Sequence, residues 1–376
     1  MKKILVLCLS ILTVLSMTVT AFAAYTPING TADGFKFNKV LSMDKNANTP
    51  AATFSFSVAP GAAIAAGTGT LEVKPGVGTP TIADVTFTAN EAGTVSDNTK
   101  TVTKQVAVNL SGCSFSEPGV YRYIITEAAS TVAGVTNDAT PTRTLDVYVQ
   151  TATNGALEIM GYVLYEGTKT DAPSATATTA TGKSEGYVNT FTTYALEFGK
   201  EVKGNFGSLD QYFEFTLTLS GLAPGAVFNV DLSHADANPT ATEATKVTVA
   251  ANPTTITVGS DGTVTQKFYL HDGQYIKVLG LPNGAKYTLS ENAHDYTSAE
   301  GISAADSALE TAHTDAVSNS TGITGDVNTG FTNTKNAVTP TGIANAVLTF
   351  MPALILAVLA IFGIVFFSRK RKVNNN

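Results

Sequence analysis

The chain has 376 residues, of which only 14% are charged, and a formal net charge of −7. That length suggests two domains, each large enough to bury its own core. The acidic balance excludes a basic surface for nucleic acid, and four scattered histidines with no metal-ligand spacing give no expectation of a metal or cofactor.

The chain opens with Lys2 and Lys3, an apolar stretch from Ile4 to Leu15, and Ala21-Phe22-Ala23. This pattern predicts a secretory signal peptide over residues 1–23, cut after Ala23. Cys8 leaves with it, so Cys113 remains alone and no intramolecular disulfide is available to the secreted chain.

Short runs of alternating apolar and polar residues then fill residues 35–336, separated by Gly, Pro, Asn and Asp. "FKFNKVL", "TFSFSV", "VYRYIITE", "RTLDVYVQ", "LEFGKEV", "YFEFTLTL", "TVTQKFYL" and "AKYTLSE" read as strands. Residues 171–185 read as an exposed loop, and no long amphipathic helix lies between the two ends. The pattern predicts an all-β chain of two tandem β-sandwiches.

The halves repeat each other in order. "FKFNKVL" matches "LEFGKEV", "TFSFSV" matches "YFEFTLTL", "EPGVYRYIITE" matches "LPNGAKYTLSE", and "GYVNTF" matches "GFTNTK". The expected boundaries are 24–193 for the first domain and 194–336 for the second.

Strand side chains alternate faces. Lys39 therefore lies on the face of Phe35, Phe37 and Leu41, and Lys200 on the face of Leu196, Phe198 and Val202. Glu127 aligns with Tyr121, Tyr123 and Ile125, and Glu291 with Tyr287 and Leu289. Asn189 aligns with Tyr187 and Phe191, and Asn333 with Phe331. Six polar groups thus fall on apolar faces, in the order Lys, Glu, Asn, twice over.

An unpaired buried charge costs several kcal/mol or is neutralised. A Lys and a Glu in one core can form an ion pair, or burial can leave both neutral. A neutral amine is a nucleophile and can attack an Asn carboxamide. A carboxyl group beside it can stabilise the developing charge and carry protons to the departing ammonia. The product is an Nε–Cγ isopeptide bond that the protein makes once, on itself.

These motifs, Phe-x-Lys, Tyr-x-x-x-Glu and aromatic-x-Asn, resemble the isopeptide-linkage domains of Gram-positive, streptococcal-type backbone pilins. "FYLHDGQYIKVLGLPNGAKYTLSEN" and "GFTNTK" are especially similar. The resemblance covers about residues 30–342. It implies immunoglobulin-like sandwiches, a Lys39–Asn189 bond catalysed by Glu127 and a Lys200–Asn333 bond catalysed by Glu291, each joining first and last strands. It also implies a structural subunit of a covalent pilus. A wall-anchored adhesin or a minor tip or base pilin is the alternative that uses the same domains. With no nucleophile elbow, metal cluster or phosphate loop, an enzyme acting on external substrates is not expected.

The segment 337–376 carries Val338-Thr339-Pro340-Thr341-Gly342, an apolar run over 344–367 and a basic tail from Arg369 to Lys372. The run is long enough to cross a bilayer, and the tail would stay cytoplasmic. Together they resemble a sortase sorting signal, cut between Thr341 and Gly342. Val338 and Thr339 depart from the common Leu-Pro form. The resemblance implies as partners a sortase, further copies of the chain and cell-wall peptidoglycan, with minor pilins and host surface ligands as further candidates. The implied location is the wall of a Gram-positive cell, after a transient stay in the plasma membrane. In related pilins the accepting lysine shortly precedes the bonding Asn, which makes Lys183 and Lys169 the candidates, Lys183 preferred by its distance to Asn189.

Overall fold

The computed structural model describes residues 25–177, 180–242, 245–303, 309, 311–338 and 350–365. The expected signal peptide and the residues 339–342 of the sorting motif lie outside them.

In the first unit, the Phe35–Asp44 strand buries Phe37, Lys39, Leu41 and Met43 and exposes Lys36. It lies between Gly186–Phe191, which runs parallel to it, and Thr99–Asn109, which runs antiparallel. The facing sheet has the order Leu157–Glu166, Thr142–Thr151, Gly119–Glu127, Phe56–Pro60. Phe37, Leu41, Tyr121, Tyr123, Val147 and Tyr187 from both sheets share one core. "TFSFSV" is not one strand. Ala52–Phe54 pairs with Val85–Phe87, and only Phe56–Pro60 joins the Gly119–Glu127 strand.

The second unit repeats the plan. Thr193–Lys203 lies between Tyr275–Pro282, antiparallel, and Val327–Thr334, parallel. The facing sheet has the order Val264–Leu270, Phe213–Ser220, Lys286–Glu291, Ser318–Asn319. Its core, built on Phe198, Phe213, Phe215, Leu217, Phe268 and Leu289, is separate from the first. Within the two units the described residues contain strands and turns but no α-helix. The chain is all-β.

The outer face of the Thr193–Lys203 strand is covered, although its polar residues gave no sign of this. Glu197 and Glu201 are buried. Ile302 and His313 bridge above them, and His313 Nε2 stands 2.6 Å from Glu197 Oε1. Lys277 Nζ completes the group at 2.7 Å from Oε2. Partnered in this way, a carboxylate tolerates burial.

The units meet end to end. Asn48 Nδ2 donates to the Val227 carbonyl at 2.8 Å, and Asn229 Nδ2 donates to the Asn46 carbonyl at 2.9 Å. At Gly280 φ is +82°, and a Cβ there would lie 3.1 Å from Ala47 Cα, so the joint needs glycine. The Asp44 end of the first strand therefore sits at the joint, and its Phe35 end points away. Thr193 likewise begins at the joint, and Lys203 lies at the far end. The two ends of this two-unit rod are the start of the Phe35 strand and the finish of the Val327–Thr334 strand.

One further buried pair ties the first unit to its long loop. Arg122 Nε and Nη2 bond both carboxylate oxygens of Asp146, at 2.7 and 2.8 Å. Arg122 Nη1 donates to the carbonyls of Lys169 and Asp171. The loop expected at 171–185 is thus exposed along most of its length but pinned at its start. Arg122→Met alone should cost about 3–5 kcal/mol in urea unfolding, because Asp146 is left as an uncompensated buried charge. Arg122→Met combined with Asp146→Leu should recover most of that loss.

Candidate functional site: two buried triads of lysine, glutamate and asparagine

Each unit brings one lysine against one glutamate across the gap between its sheets. Lys39 Nζ lies 2.5 Å from Glu127 Oε1, and Lys200 Nζ lies 2.7 Å from Glu291 Oε1. All four side chains are 0–1% exposed. The floor of each site is also the same. Lys39 Nζ stands 4.3 Å above the Phe54 ring, and Lys200 Nζ stands 4.3 Å above the Phe213 ring. Glu127 is paired with Phe56, and Glu291 with Phe215.

Strand register supplies the third member. Asn189 pairs with Leu41, two residues beyond Lys39. Asn333 pairs with Val202, two residues beyond Lys200. A step of two keeps Lys and Asn on one face of neighbouring strands, and such diagonal neighbours lie within reach of a long side chain. Both asparagines are fully buried. Gly186 opens the last strand of the first unit with φ +145°, and a Cβ there would fall 1.9 Å from the Asn38 oxygen. Only glycine lets that strand lie so close to the first.

Unmade hydrogen bonds cluster on the same residues. Among the described residues, nine buried side-chain atoms lack a well-directed hydrogen bond, and six of them belong to Lys39, Glu127, Asn189, Glu291 and Asn333. Native cores rarely leave such groups unmade, and a cluster of them calls for an explanation. The Lys–Glu contacts are short but poorly aimed. Lys200 adds only a long bond to the Phe331 carbonyl, at 3.4 Å.

Burial weakens both amines as bases. It lowers the Lys39 pKa against the opposing pull of Glu127. It lowers that of Lys200 from 10.5 to about 8, again against the nearby Glu291. Each lysine can therefore shed its proton more readily than a surface lysine can.

Two supporting groups escaped the sequence reading. The Asp138 backbone N–H donates to Asn189 Oδ1 at 3.0 Å, which polarises that carboxamide. Asn137 Nδ2 donates to Glu127 Oε2 at 3.3 Å. They sit in the loop before Thr142–Thr151, and no strand periodicity points to them. In the second unit Ser298 Oγ donates to Glu291 Oε2 at 3.4 Å.

The remaining candidates lie apart from the triads. Lys183 is exposed, in a bridge to Tyr165, and among the described residues its ammonium has no bonded partner. Lys169 is engaged instead, by Asp171 at 3.0 Å and by the Tyr165 ring at 5.3 Å. Val338 is 90% exposed. Residues 350–365 of the expected 344–367 span are helical. No helix among the described residues is long and apolar enough to cross a membrane.

Residues 35–192 match the family described as the Spy0128-like isopeptide containing domain. Residues 194–335 match a family described only as a domain of unknown function, DUF7601. A curated pilin of Streptococcus pyogenes serotype M1 is 27% identical over 367 residues, spanning 94% of this chain and 96% of its own. The solved major pilin of Streptococcus pyogenes shares the fold, with TM-score 0.51 at 24% identity over 82% of this chain and 100% of that one. The major pilin T3.2 of the same species gives 0.50 at 22% identity, over 82% and 99%.

The first unit is thus similar to an isopeptide-containing domain family, and the chain as a whole is similar along nearly all its length to a streptococcal pilin. It is a structural pilus subunit rather than an enzyme turning over external substrates.

The lowered pKa of Lys200 can be checked in an Asn333→Ala variant, where no bond to this lysine can form. Unfolded, Lys200 keeps its proton up to about 10.5; folded, up to about 8. Below the lower value both states are protonated and the full burial penalty applies. Between the two values the unfolded chain holds more protons, so stability should rise with pH. Urea unfolding across this window should show Asn333→Ala gaining stability relative to Asn333→Ala with Lys200→Met. Parallel curves for the two variants would mean an ordinary amine.

Proposed function

We infer that the subunit cross-links itself at both triads and is then joined covalently to other copies of itself. In the first unit Glu127 takes a proton from Lys39, and the neutral Nζ attacks Cγ of Asn189. The Nζ–Cγ bond forms, Glu127 returns the proton to the carboxamide nitrogen, the Cγ–Nδ2 bond breaks to release ammonia, and the remaining surplus proton on Nζ passes to the freed Glu127 carboxylate and on to the departing ammonia. Glu291 serves Lys200 and Asn333 in the same way. The carrying observation is the common geometry. In two separate cores the same Lys–Glu contact, the same aromatic floor and the same two-residue Lys–Asn offset recur.

Each bond expels one ammonia, about 17 Da by the chemistry of amide exchange. Intact-mass measurement of the secreted chain should therefore fall short of its sequence mass by about 34 Da. Glu127→Ala should restore only the first-unit ammonia, and Glu291→Ala only the second. An unshifted wild-type mass would refute the bonds, and loss of both shifts from one change would refute separate sites.

The second step is carried by a sortase acting on Val338–Gly342. It passes the Thr341 carbonyl to a lysine of the next copy and finally to cell-wall peptidoglycan, giving a wall-anchored pilus. The mature chain would run from Ala24 to Thr341. Lys183 is the preferred acceptor because it is exposed and its amine has no bonded partner among the described residues, whereas Lys169 is held by Asp171 and Tyr165. In the native host, Lys183→Ala should abolish the high-mass ladder seen after boiling wall extracts in SDS, while monomer stays wall-linked. Lys169→Ala should leave the ladder intact. The reverse result would move the acceptor to Lys169.

A further inference from the structure

The two triads differ in one respect: a loop grips the first. Asn137 Nδ2 reaches the acid, Glu127 Oε2, at 3.3 Å, and the adjacent Asp138 N–H reaches the electrophile, Asn189 Oδ1, at 3.0 Å. Two consecutive residues thus touch two of the three reacting side chains. In the second unit Asn333 Nδ2 and Oδ1 both lack a directed hydrogen bond among the described residues. Asp315 does bind the last strand there, but at the Asn328 N–H, well ahead of Asn333.

A buried ion pair holds the gripping loop. Asp138 Oδ2 accepts from Arg143 Nη2 and from the Val188 N–H, each at 2.8 Å. Its Oδ1 accepts from the Thr140 N–H at 2.9 Å, which closes an Asx turn. Arg143 is 4% exposed. Its Nε donates to Ser184 Oγ at 2.8 Å and to the Gly186 carbonyl at 2.9 Å, and its Nη1 donates to the carbonyls of Thr140 and Thr142. The pair therefore binds the loop to Ser184 and Gly186, where the last strand begins, and to Val188, next to Asn189. A planar guanidinium fixed at so many points sets geometry as well as charge.

The contact at Oδ1 gains importance when charge moves. As Lys39 Nζ bonds to Cγ, the carbonyl electron pair shifts onto Asn189 Oδ1. It returns when the Cγ–Nδ2 bond breaks and ammonia leaves, with the proton transfers still carried by Glu127. A fixed donor roughly 2.7–3.1 Å from such an oxygen, in a site that excludes water, lowers the barrier to its formation.

We propose that the Asp138 N–H is the oxyanion donor for the Lys39–Asn189 bond, and that the Asp138 carboxylate and Arg143 are the positioning groups that hold it on Asn189. The second bond forms without this device. The inference rests on the cross-linking reading above and adds to it a donor that only the first unit possesses among the described residues.

A purely electrostatic role for the pair predicts a different pattern. The Asp138 charge favours the protonated form of Lys39, and the Arg143 charge disfavours it. Acting by field alone, loss of Asp138 would speed the first bond and loss of Arg143 would slow it. Positioning predicts that both losses slow it.

The test follows full-length chains after a pulse of synthesis. Mass spectrometry of tryptic digests gives the share of chains carrying the Lys39–Asn189 and Lys200–Asn333 links at successive times. Asp138→Ala and Arg143→Met should each slow the first link at least about tenfold, since removing one oxyanion donor outright costs about 10²–10³ in rate. The second link, in the same molecules, should keep its wild-type rate. A faster first link in Asp138→Ala would overturn the proposal, and so would equal slowing of both links. Amide exchange supplies a check that leaves the loop and its ion pair untouched. In Glu127→Ala, where the first link cannot form, the Asp138 N–H should exchange at least about tenfold more slowly than in Glu127→Ala combined with Asn189→Ala. Equal exchange in the two would show that this N–H does not serve the carboxamide, and the proposal would fall. If wild-type chains carry no Lys39–Asn189 link at any time, the cross-linking reading itself has failed and takes this one with it.

Discussion

The structure depends on one arrangement, the parallel pairing of the first and last strands of each unit with Lys and Asn two residues out of register. That pairing sets the amine and the carboxamide on one buried face of neighbouring strands, and the facing sheet brings the carboxyl group against the amine. Three buried polar groups are a liability in a sandwich core, because each loses its hydration without gaining a full set of partners. Their repetition in two cores is hard to reconcile with a purely structural ion pair. It is what a self-consuming reaction needs: a nucleophile with a weakened hold on its proton, a carboxyl group to relay that proton, and an electrophile held alongside.

Much of this was legible in the sequence because strand alternation is a strict code. A period of two was enough to place Lys39, Lys200, Glu127, Glu291, Asn189 and Asn333 with aromatic neighbours, and all six are buried or nearly so. What could not be read was anything set by a second segment folding over a strand. Glu197 and Glu201 sit on the outer face of their strand, yet Ile302 and His313 cover that face. "TFSFSV" reads as one strand, but its two halves pair with different partners. The Asp138 N–H on Asn189 and the Arg122 anchor of the 169–171 loop come from long-range backbone contacts that leave no periodic trace.

The same geometry accounts for how a chain with no disulfide among its described residues can serve in a fibre. Cys113 is buried and unpaired. The residues joined by each inferred bond are 150 apart in the first unit and 133 apart in the second. By analogy with disulfides, closing loops of that size restricts the unfolded chain by about 5 kcal/mol. The link also has a mechanical effect. Tension enters each unit along its first strand and leaves along its last, and a covalent link between these two neighbours carries it past the other strands. The Asn46–Asn229 and Asn48–Val227 contacts then set the joint through which the load passes from one unit to the next.

Pulling single molecules from their two ends tests this account most directly. With both links formed, the strands enclosed between the joined residues are shielded, and the chain should stretch without any unfolding step until a covalent bond breaks. The Glu127→Ala variant should show a single step, releasing roughly 3.3–3.6 Å for each residue of the freed first unit, less its folded length. Two unfolding steps in the wild-type chain, one from each unit, would contradict the claim that the first and last strands are covalently joined.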